Sequence, residues 1–401
     1  MRQKIGSESN DSAFSYGSER ATLPPNNEFG RLSARMTKLR RQPYSAAIPF
    51  SLAARRIPAS VETMSLAAEA QGEIQSFTAE AAHLPIPLGL ITLRSESLSS
   101  SQIEHVDAPA RAVAEAAISE RLMGNATLIA KGIRALEDGL SDNRDVDAAW
   151  FVELQRAILG GDPRYVTTGW RMDQVWLGGR LPQIARYVPP GAARVPEAMT
   201  DLIAFIHRTD LQPIVHAAAA HAQFENIHPF RDGNGRTGRG LIQRMYLDSG
   251  LVDRASVPVS SGIVADLPGY ESALIEWRDG HTDPVVAFLA HASLRGVDNV
   301  RRLSSDLDSV RAADLERMSR LRSDATARRI AALSLQQPVL STRYVVDTTG
   351  LRELNVLRAF DTLTALGVLT ETTSKRRNRI WGHDGVLDAL DDFERRAHQG
   401  T

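Results

Sequence analysis

The sequence contains no cysteine in 401 residues. Disulfide bonds, cysteine-ligated zinc, iron–sulfur clusters and thiol nucleophiles are therefore excluded. An excess of charge of one sign is also lacking, because 47 basic residues are balanced by 48 acidic residues and the net charge is −1. Such a chain does not coat nucleic acid or membranes non-specifically, so any binding of that kind requires a local charged patch.

Long apolar runs are missing as well. No stretch approaches the roughly eighteen consecutive apolar residues of a membrane-spanning helix. The start Met1-Arg2-Gln3-Lys4 turns polar and serine-rich, without the apolar segment of a secretory signal. We therefore expect a cytoplasmic protein that has no membrane partner. The hydrophobic content of 43% and the length predict a globular chain of two or three domains.

Apolar periodicity predicts a mainly α-helical fold. Residues 1–42 show no such periodicity and are predicted to form a disordered tail. An amphipathic helix is predicted from Ser60 until Pro85 ends it, because five apolar residues recur at spacings of three and four. These residues are Ala67, Ala70, Ile74, Phe77 and Ala81.

Further helices are predicted over 110–122, 146–159 and 236–248. One stretch differs, because two β-prone runs flank a glycine pair and predict a β-hairpin over 176–188. These patterns divide the chain into five segments: the tail over 1–42, an N-terminal helical region over 43–130, a core over 131–295, a helical connector over 296–337 and a small domain over 338–401.

The small domain has a helix-turn-helix pattern followed by a basic turn. Helices are predicted around 342–349 and 354–366, and β-prone residues lie on both sides of the turn 374–379, which carries four cations. This order resembles winged-helix domains, which place one helix in the DNA major groove. Winged helices also serve in protein docking and dimerisation. The mixed charge of the second helix leaves DNA, another protein and a second copy open as partners.

The most informative stretch is the run His228-Pro229-Phe230-Arg231-Asp232-Gly233-Asn234-Gly235-Arg236-Thr237-Gly238-Arg239. A helix is predicted to end before this run and another to begin near Arg236. The backbone N–H groups of the glycine-rich turn between them form a concave site suited to anions.

Four side chains add chemistry to this turn. Arg236 and Arg239 are three residues apart and can reach the same phosphate chain. Asp232 offers the hard oxygen ligand that Mg²⁺ prefers. His228 has a pKa suited to taking a proton from a hydroxyl group. Together they predict phosphoryl or nucleotidyl transfer.

Three better-known kinds of glycine-containing turn fit this run less well. Asp-Gly and Asn-Gly pairs are common in hairpin turns, but the flanking segments here are helical. A calcium-binding EF-hand loop is excluded, because Phe230 and Leu241 would take the positions that require Asp and Glu. The P-loop pattern GxxxxGK[ST] is absent.

The run resembles the Fic family signature, HxFx[D/E]GNGRxxR, at every specified position, and the resemblance extends over about residues 45–295. A second segment resembles the inhibitory-helix motif of that family, [S/T]xxxE[G/N]. Ser100 and Glu104 take its two main positions, and His105 stands where Gly or Asn is usual. The resemblance therefore implies an inhibitory helix within 43–130 and a catalytic core over 131–295.

The resemblance implies a nucleotidyltransferase, in which ATP is cleaved at the α-phosphate and AMP is joined to a Ser, Thr or Tyr hydroxyl of a target protein. His228 would be the general base, Asp232 would hold Mg²⁺, and Glu104 would inhibit by pairing with Arg239. Phe230 would pack inward, and the hairpin would align the target chain by strand addition. The implied nucleotide contacts are Asp232, Gly233, Asn234, Gly235, Arg236, Arg239 and Tyr270.

Three alternatives stay open at this point. The same site could remove AMP from a target or transfer a phosphoryl group, although the Gly235-Arg236 pair leaves room for β and γ phosphates and favours AMP transfer. The chain could also be a DNA-binding regulator whose Fic site senses a nucleotide. The target, which includes the chain itself as a candidate, and a homodimeric state are not fixed by these residues.

Overall fold

A computed structural model describes residues 14–23, 33–119, 124–160, 168–253, 256–372 and 379–399. The first helices in these ranges are α1 (Ala34–Arg40), α2 (Val61–Ala81), α3 (Gly89–Ile103), α4 (Ala110–Ala117), α5 (Asn125–Ser141) and α6 (Ala148–Ile158). The middle of the chain forms α7 (Val195–Ile206), α8 (Pro213–Ile227), α9 (Asn234–Asp248), α10 (Val259–Val264), α11 (Leu267–Arg278) and α12 (Asp283–Arg317). The mainly helical prediction is thus confirmed.

The remaining elements are four helices and five short strands. The helices are α13 (Thr326–Gln336), α14 (Thr342–Thr349), α15 (Glu353–Ala365) and α16 (Asp384–His398). The strands are β1 (Gly17–Ala21), β2 (Tyr44–Ile48), β3 (Val339–Ser341), β4 (Thr370–Glu371) and β5 (Ile380–Gly382). No helix in the described ranges is both long and apolar enough to span a membrane.

Helix α2 forms where the apolar spacing predicts it. The Ser60 hydroxyl accepts a hydrogen bond from the Thr63 N–H and caps the first turn. The predicted apolar stripe is buried from Ala67 to Phe77, and this face packs along the long helix α12. Because both helices also contact α8, they form the frame behind the loop that joins α8 to α9.

The described part of the predicted tail is ordered, so that prediction is wrong there. Strand β1 pairs antiparallel with β2 along its whole length. Just before β1, the Phe14 ring lies 4.5 Å from the Phe50 ring, and the Tyr16 hydroxyl donates to Gln223 Oε1 at 2.7 Å. These aromatic anchors offset the entropy cost of ordering a polar segment. The rest of the predicted tail before Ser33 lies outside the described residues.

The predicted hairpin over 176–188 forms only one antiparallel bridge, between Leu177 and Tyr187. Gly178 and Gly179 turn the chain with φ of 70° and 82°. A 3-10 turn then occupies 182–184. Pro182 has no N–H to give to a ladder, and the Arg186 and Tyr187 N–H groups both donate to the Leu177 carbonyl. The segment is therefore a loop closed at its base and not a two-stranded hairpin.

The packed unit in the C-terminal region has different boundaries from the predicted domain over 338–401. Strands β3 and β4 both pair antiparallel with β5, and Trp381 of β5 stacks on Phe360 of α15 at 3.9 Å. This core also includes α13, and we call residues 318–372 and 379–382 the C-terminal unit. Helix α16 leaves it and buries Leu390 and Phe393 in the main core beside α12. Most of the predicted basic turn lies outside the described residues.

Candidate active site

The loop between α8 and α9 reverses the chain through two left-handed residues. His228 caps α8 with φ 51° and ψ 62°, and its N–H donates to the Phe224 carbonyl at 2.9 Å. Gly233 precedes α9 with φ 81°. A left-handed conformation is uncommon for residues other than glycine, so the surrounding structure must hold His228 in it.

Buried contacts fix the shape of this loop. The Asn234 side chain donates to the Phe230 carbonyl and accepts from the Phe230 N–H, each at 2.9 Å. The Phe230 ring is fully buried, as the resemblance implied, and lies 5.4 Å from the Trp170 ring. Gln155 Nε2 donates to the Asp232 carbonyl at 3.0 Å. The side chains of Asn234 and Gln155 therefore stabilise this turn through hydrogen bonds to its backbone.

Arg171 is a main support of the loop that sequence reasoning did not single out. Its guanidinium is buried and donates to the carbonyls of His228 at 2.8 Å, Asp173 at 2.8 Å and Pro190 at 2.6 Å. Burial lowers the pKa of Arg171 to about 10. Because His228 and Pro190 are distant from Arg171 along the chain, no local spacing indicates this role.

His228 is arranged to act as a base. Its Nδ1 lies 3.2 Å from the Glu225 carbonyl oxygen. A carbonyl can only accept, so Nδ1 carries the proton and Nε2 keeps its lone pair. Burial lowers the pKa of His228 to about 4, and the imidazole is therefore neutral at pH 7.

The first turn of α9 is the candidate anion site. No side chain in the described residues caps this turn, so its backbone N–H groups remain available to a ligand. Arg236 lies beside it with its side chain 11% exposed, and its buried Nε has no hydrogen-bond partner among the described residues. A largely buried guanidinium whose Nε has no partner among the described residues, next to uncapped helix N–H groups, fits a phosphate chain.

Asp232 lies at the rim of this site. Its side chain is 43% exposed, and Oδ1 accepts from the Gly233 N–H at 2.6 Å and lies 3.9 Å from Arg236 Nη2. No cluster of three metal-ligating side chains exists in the described parts of the chain. A single carboxylate next to a phosphate site fits Mg²⁺, which keeps several waters and binds mainly through substrate phosphates.

Glu104 and Ser100 both contact Arg239. Arg239 Nη2 lies 2.9 Å from Glu104 Oε1, while its Nε donates to Ser100 Oγ and its Nη2 to the Ser100 carbonyl, each at 2.8 Å. Burial alone would raise the pKa of Glu104, but the charge and hydrogen bond of Arg239 outweigh it and hold that pKa below its usual range. His105 follows with φ 56°, a conformation that explains the family preference for Gly or Asn there.

Tyr270 does not lie at an open surface. It is 8% exposed, its hydroxyl lies 2.8 Å from His221 Nε2, and its ring packs 5.7 Å from Phe288. The structure therefore places Tyr270 behind Arg239 in the core and not where a base could stack on it. The predicted residues 228–239, Ser100 and Glu104 do lie together.

Two carboxyl groups are buried near the site, and no pattern in the sequence points to either of them. The Glu96 carboxyl on α3 accepts from the Ser260 N–H at 2.9 Å and from the Ser260 hydroxyl at 2.5 Å. Glu225 precedes His228 by one turn, and its Oε1 has no hydrogen-bond partner among the described residues. Burial raises the pKa of each to about 7. Near neutral pH both groups are therefore partly protonated.

The fold and the site together define a mainly helical protein with a candidate anion site at a helix N-terminus. Residues 145–246 match the model of the Fic/DOC family, and this range contains the whole run from His228 to Arg239. The chain therefore contains a region, residues 145–246, that belongs to the Fic/DOC family. Its relationship to the protein adenylyltransferases named Fic is distant.

Protein adenylyltransferase Fic of Drosophila sechellia is 29% identical over 166 residues, which are 41% of this chain and 31% of that protein. The protein of the same name from Drosophila virilis is 30% identical over 160 residues, or 39% of this chain and 30% of that one. The chain thus spans about a third of the length of these relatives. A Fic family protein from Desulfovibrio desulfuricans G20 shares the fold, with a TM-score of 0.53, 20% identity and coverage of 81% of this chain and 97% of that one.

Proposed function

We propose that the chain is a protein adenylyltransferase that transfers AMP from ATP to a hydroxyl side chain of a target protein. The observation that carries the proposal is the joint position of a neutral His228, an uncapped helix N-terminus and a buried Arg236 that lacks a partner at Nε. The family of the matched region and the name of its adenylyltransferase relatives agree with this chemistry.

In the proposed reaction the target hydroxyl oxygen attacks the α-phosphorus of ATP. The new O–P bond forms as the bond to the β-phosphate oxygen breaks, and pyrophosphate leaves. His228 Nε2 takes the hydroxyl proton, because Nδ1 is already engaged with the Glu225 carbonyl. The N–H groups of the first turn of α9 and the Arg236 guanidinium would stabilise the phosphate charges. Mg²⁺ held by Asp232 would neutralise further phosphate charge.

The same proposal includes inhibition by Glu104. Arg239 can pair with a γ-phosphate only if it gives up the Glu104 carboxylate, since both need the same guanidinium edge. Ser100 keeps Arg239 in this inhibited position through two hydrogen bonds. The nucleotide would then bind weakly, or in an orientation that does not favour attack on the α-phosphorus.

A second candidate is recognition of DNA by a winged helix in the C-terminal unit. It is favoured by the outward face of α15, where Arg352, Asn355 and Arg358 are exposed beside the three-stranded sheet. A gel shift with duplex DNA that weakens as salt rises, and that is lost in an Asn355→Ala/Arg358→Ala variant, would support it. Unchanged DNA binding by that variant would show that α15 is not the helix that recognises DNA.

Intact-protein mass spectrometry after incubation with ATP and Mg²⁺ tests the main proposal. Glu104→Gly is expected to gain an AMP-sized adduct, alone or on a protein of a lysate, and Glu104→Gly/His228→Ala is expected to lose it. A phosphate-sized adduct would indicate phosphotransfer instead. Release of AMP from an adenylylated protein, without any adduct formed from ATP, would indicate the reverse reaction.

A further inference from the structure

We infer that the C-terminal unit holds the inhibitory helix α3 in place, and that Arg94 is the positioning residue through which it acts on Glu104. The inference rests on the proposed function and names its regulation. It predicts that whatever displaces the C-terminal unit from α3 also withdraws Glu104 from Arg239.

Helix α3 is buried on all sides although it is mostly polar. Every residue from Ile91 to Ser101 is buried, and five of these eleven are serines. Burying serine removes little apolar area from water, so this helix gains less hydrophobic stabilisation than an apolar helix of equal length. Its position must therefore depend strongly on specific polar contacts.

A polar contact in the first half of α3 is made with the C-terminal unit. Arg94 Nη1 donates to the Gln336 carbonyl at 2.5 Å, and Nη2 donates to Gln337 Oε1. These acceptors lie at the end of α13, where the backbone carbonyls carry partial negative charge. In the part of the chain that the structure describes, no carboxylate lies within salt-bridge distance of Arg94. The end of α13 is therefore what compensates this buried cation.

Gln337 extends the contact to other elements. Its Nε2 donates to the Ala114 carbonyl of α4 at 2.9 Å and to the Val339 carbonyl of β3 at 2.8 Å. The last turn of α3 has a second contact, from Gln102 Nε2 to Glu394 Oε2 of α16 at 3.3 Å. Helix α3 is thus bonded at Arg94 and at Gln102 to residues that follow α12 in the chain.

These contacts act on Glu104 because α3 is one continuous helix. Arg94 and Glu104 are ten positions apart, which corresponds to about 15 Å along a helix axis. On the catalytic side, Ser100 bonds Arg239 and Glu96 bonds Ser260. Removing the α13 end would leave the Arg94 charge buried without acceptors, which is unfavourable unless α3 moves.

The test uses the full chain and compares Arg94→Met, Gln102→Ala and Arg94→Lys with the wild type. Arg111→Met is the matched control, because Arg111 pairs with Asp384 across the α4–α16 contact without touching α3. AMP incorporation, the Kd for ATP and hydrogen exchange of amides 97–104 are measured for each. Glu104→Gly and Arg94→Met/Glu104→Gly complete a double-mutant cycle.

Arg94→Met and Gln102→Ala are expected to raise AMP incorporation about fivefold or more, to tighten ATP binding and to speed exchange over 97–104. Arg94→Lys should keep most of the inhibition, and Arg111→Met should resemble the wild type. The double variant should be no more active than Glu104→Gly, since Arg94 acts only through Glu104. That non-additivity separates positioning from a general loss of stability.

The inference is overturned if Glu104→Gly is active while folded Arg94→Met and Gln102→Ala match the wild type in all three measurements. If Arg94→Met does not fold, the same three measurements on Gln337→Ala, which removes the acceptor of Arg94 Nη2 in the C-terminal unit, decide. If Glu104→Gly is inactive, the proposed function fails and the inference is judged by the other two measurements. Faster exchange and tighter ATP binding in Arg94→Met would then still support it, and unchanged values would reject it.

Discussion

The Glu104 carboxylate fills the space next to Gly235 that a side chain would need. A Cβ atom on Gly235 would overlap Glu104 Oε1 and would lie 2.8 Å from Arg239 Nη1. Glu104 and the first turn of α9 are therefore in direct contact, and position 235 requires a glycine. Under the proposed function, phosphate groups would therefore compete with this carboxylate for the same space.

Replacing Glu104 by glycine is expected to raise the rate of AMP transfer by about tenfold or more and to lower the Kd for ATP, because a negative charge leaves the anion site. Titration calorimetry and incorporation of labelled AMP measure the two effects. Glu104→Gln is the control that keeps the shape and removes the charge, and an intermediate effect is expected. Equal activity in all three proteins would disprove inhibition by this residue.

The buried state of His228 sets a pH dependence. Its pKa of about 4 keeps Nε2 unprotonated down to mildly acidic pH. The kcat/KM of Glu104→Gly is therefore expected to stay level from pH 8 to 5 and to fall only near pH 4. Removing Glu104 also removes a negative charge that favours protonation, so the inflection should move no higher. An inflection near pH 6.5, the ordinary value for histidine, would contradict this assignment.

Replacing Arg171 tests the support of the loop. Arg171→Lys keeps the charge but cannot reach three carbonyls with a planar group, so His228 should lose its fixed position. We expect about 2–4 kcal/mol less free energy of unfolding and a lower kcat in the Glu104→Gly background. Urea denaturation measures the first. A matched loss is not expected for Arg186→Lys, whose guanidinium is exposed and whose one ion pair among the described residues is with Glu271.

Glu96 is expected to make stability fall as pH rises. Its folded pKa of about 7 lies above the unfolded value, so its contribution is complete below about pH 4.5 and is lost as pH rises through 7. Glu96→Gln, which stays neutral, should reduce the loss of unfolding free energy between pH 5.5 and 8.5 by on the order of 2 kcal/mol. Part of the fall in unfolding free energy with pH should remain in Glu96→Gln, because burial raises the pKa of Glu225 as well. Identical slopes in both proteins would show that Glu96 ionises normally.

Asp232→Asn should weaken the response to Mg²⁺ and leave the fold intact. The side chain is partly exposed and bonds mainly to its neighbour Gly233, so little stability is lost. In the Glu104→Gly background, the Mg²⁺ concentration for half-maximal activity should rise about tenfold or more. A Tm change of more than a few degrees, or an unchanged Mg²⁺ response, would argue against the metal role.

Local patterns predicted the parts of the fold that local interactions decide. The apolar spacing from Ala67 to Phe77 marks α2 because one face of that helix is buried. Helix α3 could not be found this way, since it is buried on every face and its serines show no apolar period. Strand β1 was missed because its order depends on aromatic contacts to residues far along the chain.

The same division applies to the site. The residues from His228 to Arg239 form one contiguous run, so their sequence alone indicated an anion site with a base. Arg171 and Gln155 reach that run from other parts of the chain, and their side chains bond only to backbone carbonyls there. Such contacts leave no residue pattern to read. Tyr270 was misplaced because family position alone does not show which way a helix faces.

The path of the chain through α16 restricts how the C-terminal unit can move. The unit is reached through α12, and the chain returns from it to the main core through α16, so it is attached at two points. A domain with one connection to the rest of the chain can rotate in many directions. Two connections restrict that rotation to the axis that joins them. A ligand that binds more tightly to a rotated arrangement of this unit would therefore also act on the contact of Arg94 in α3 with Gln336 and Gln337.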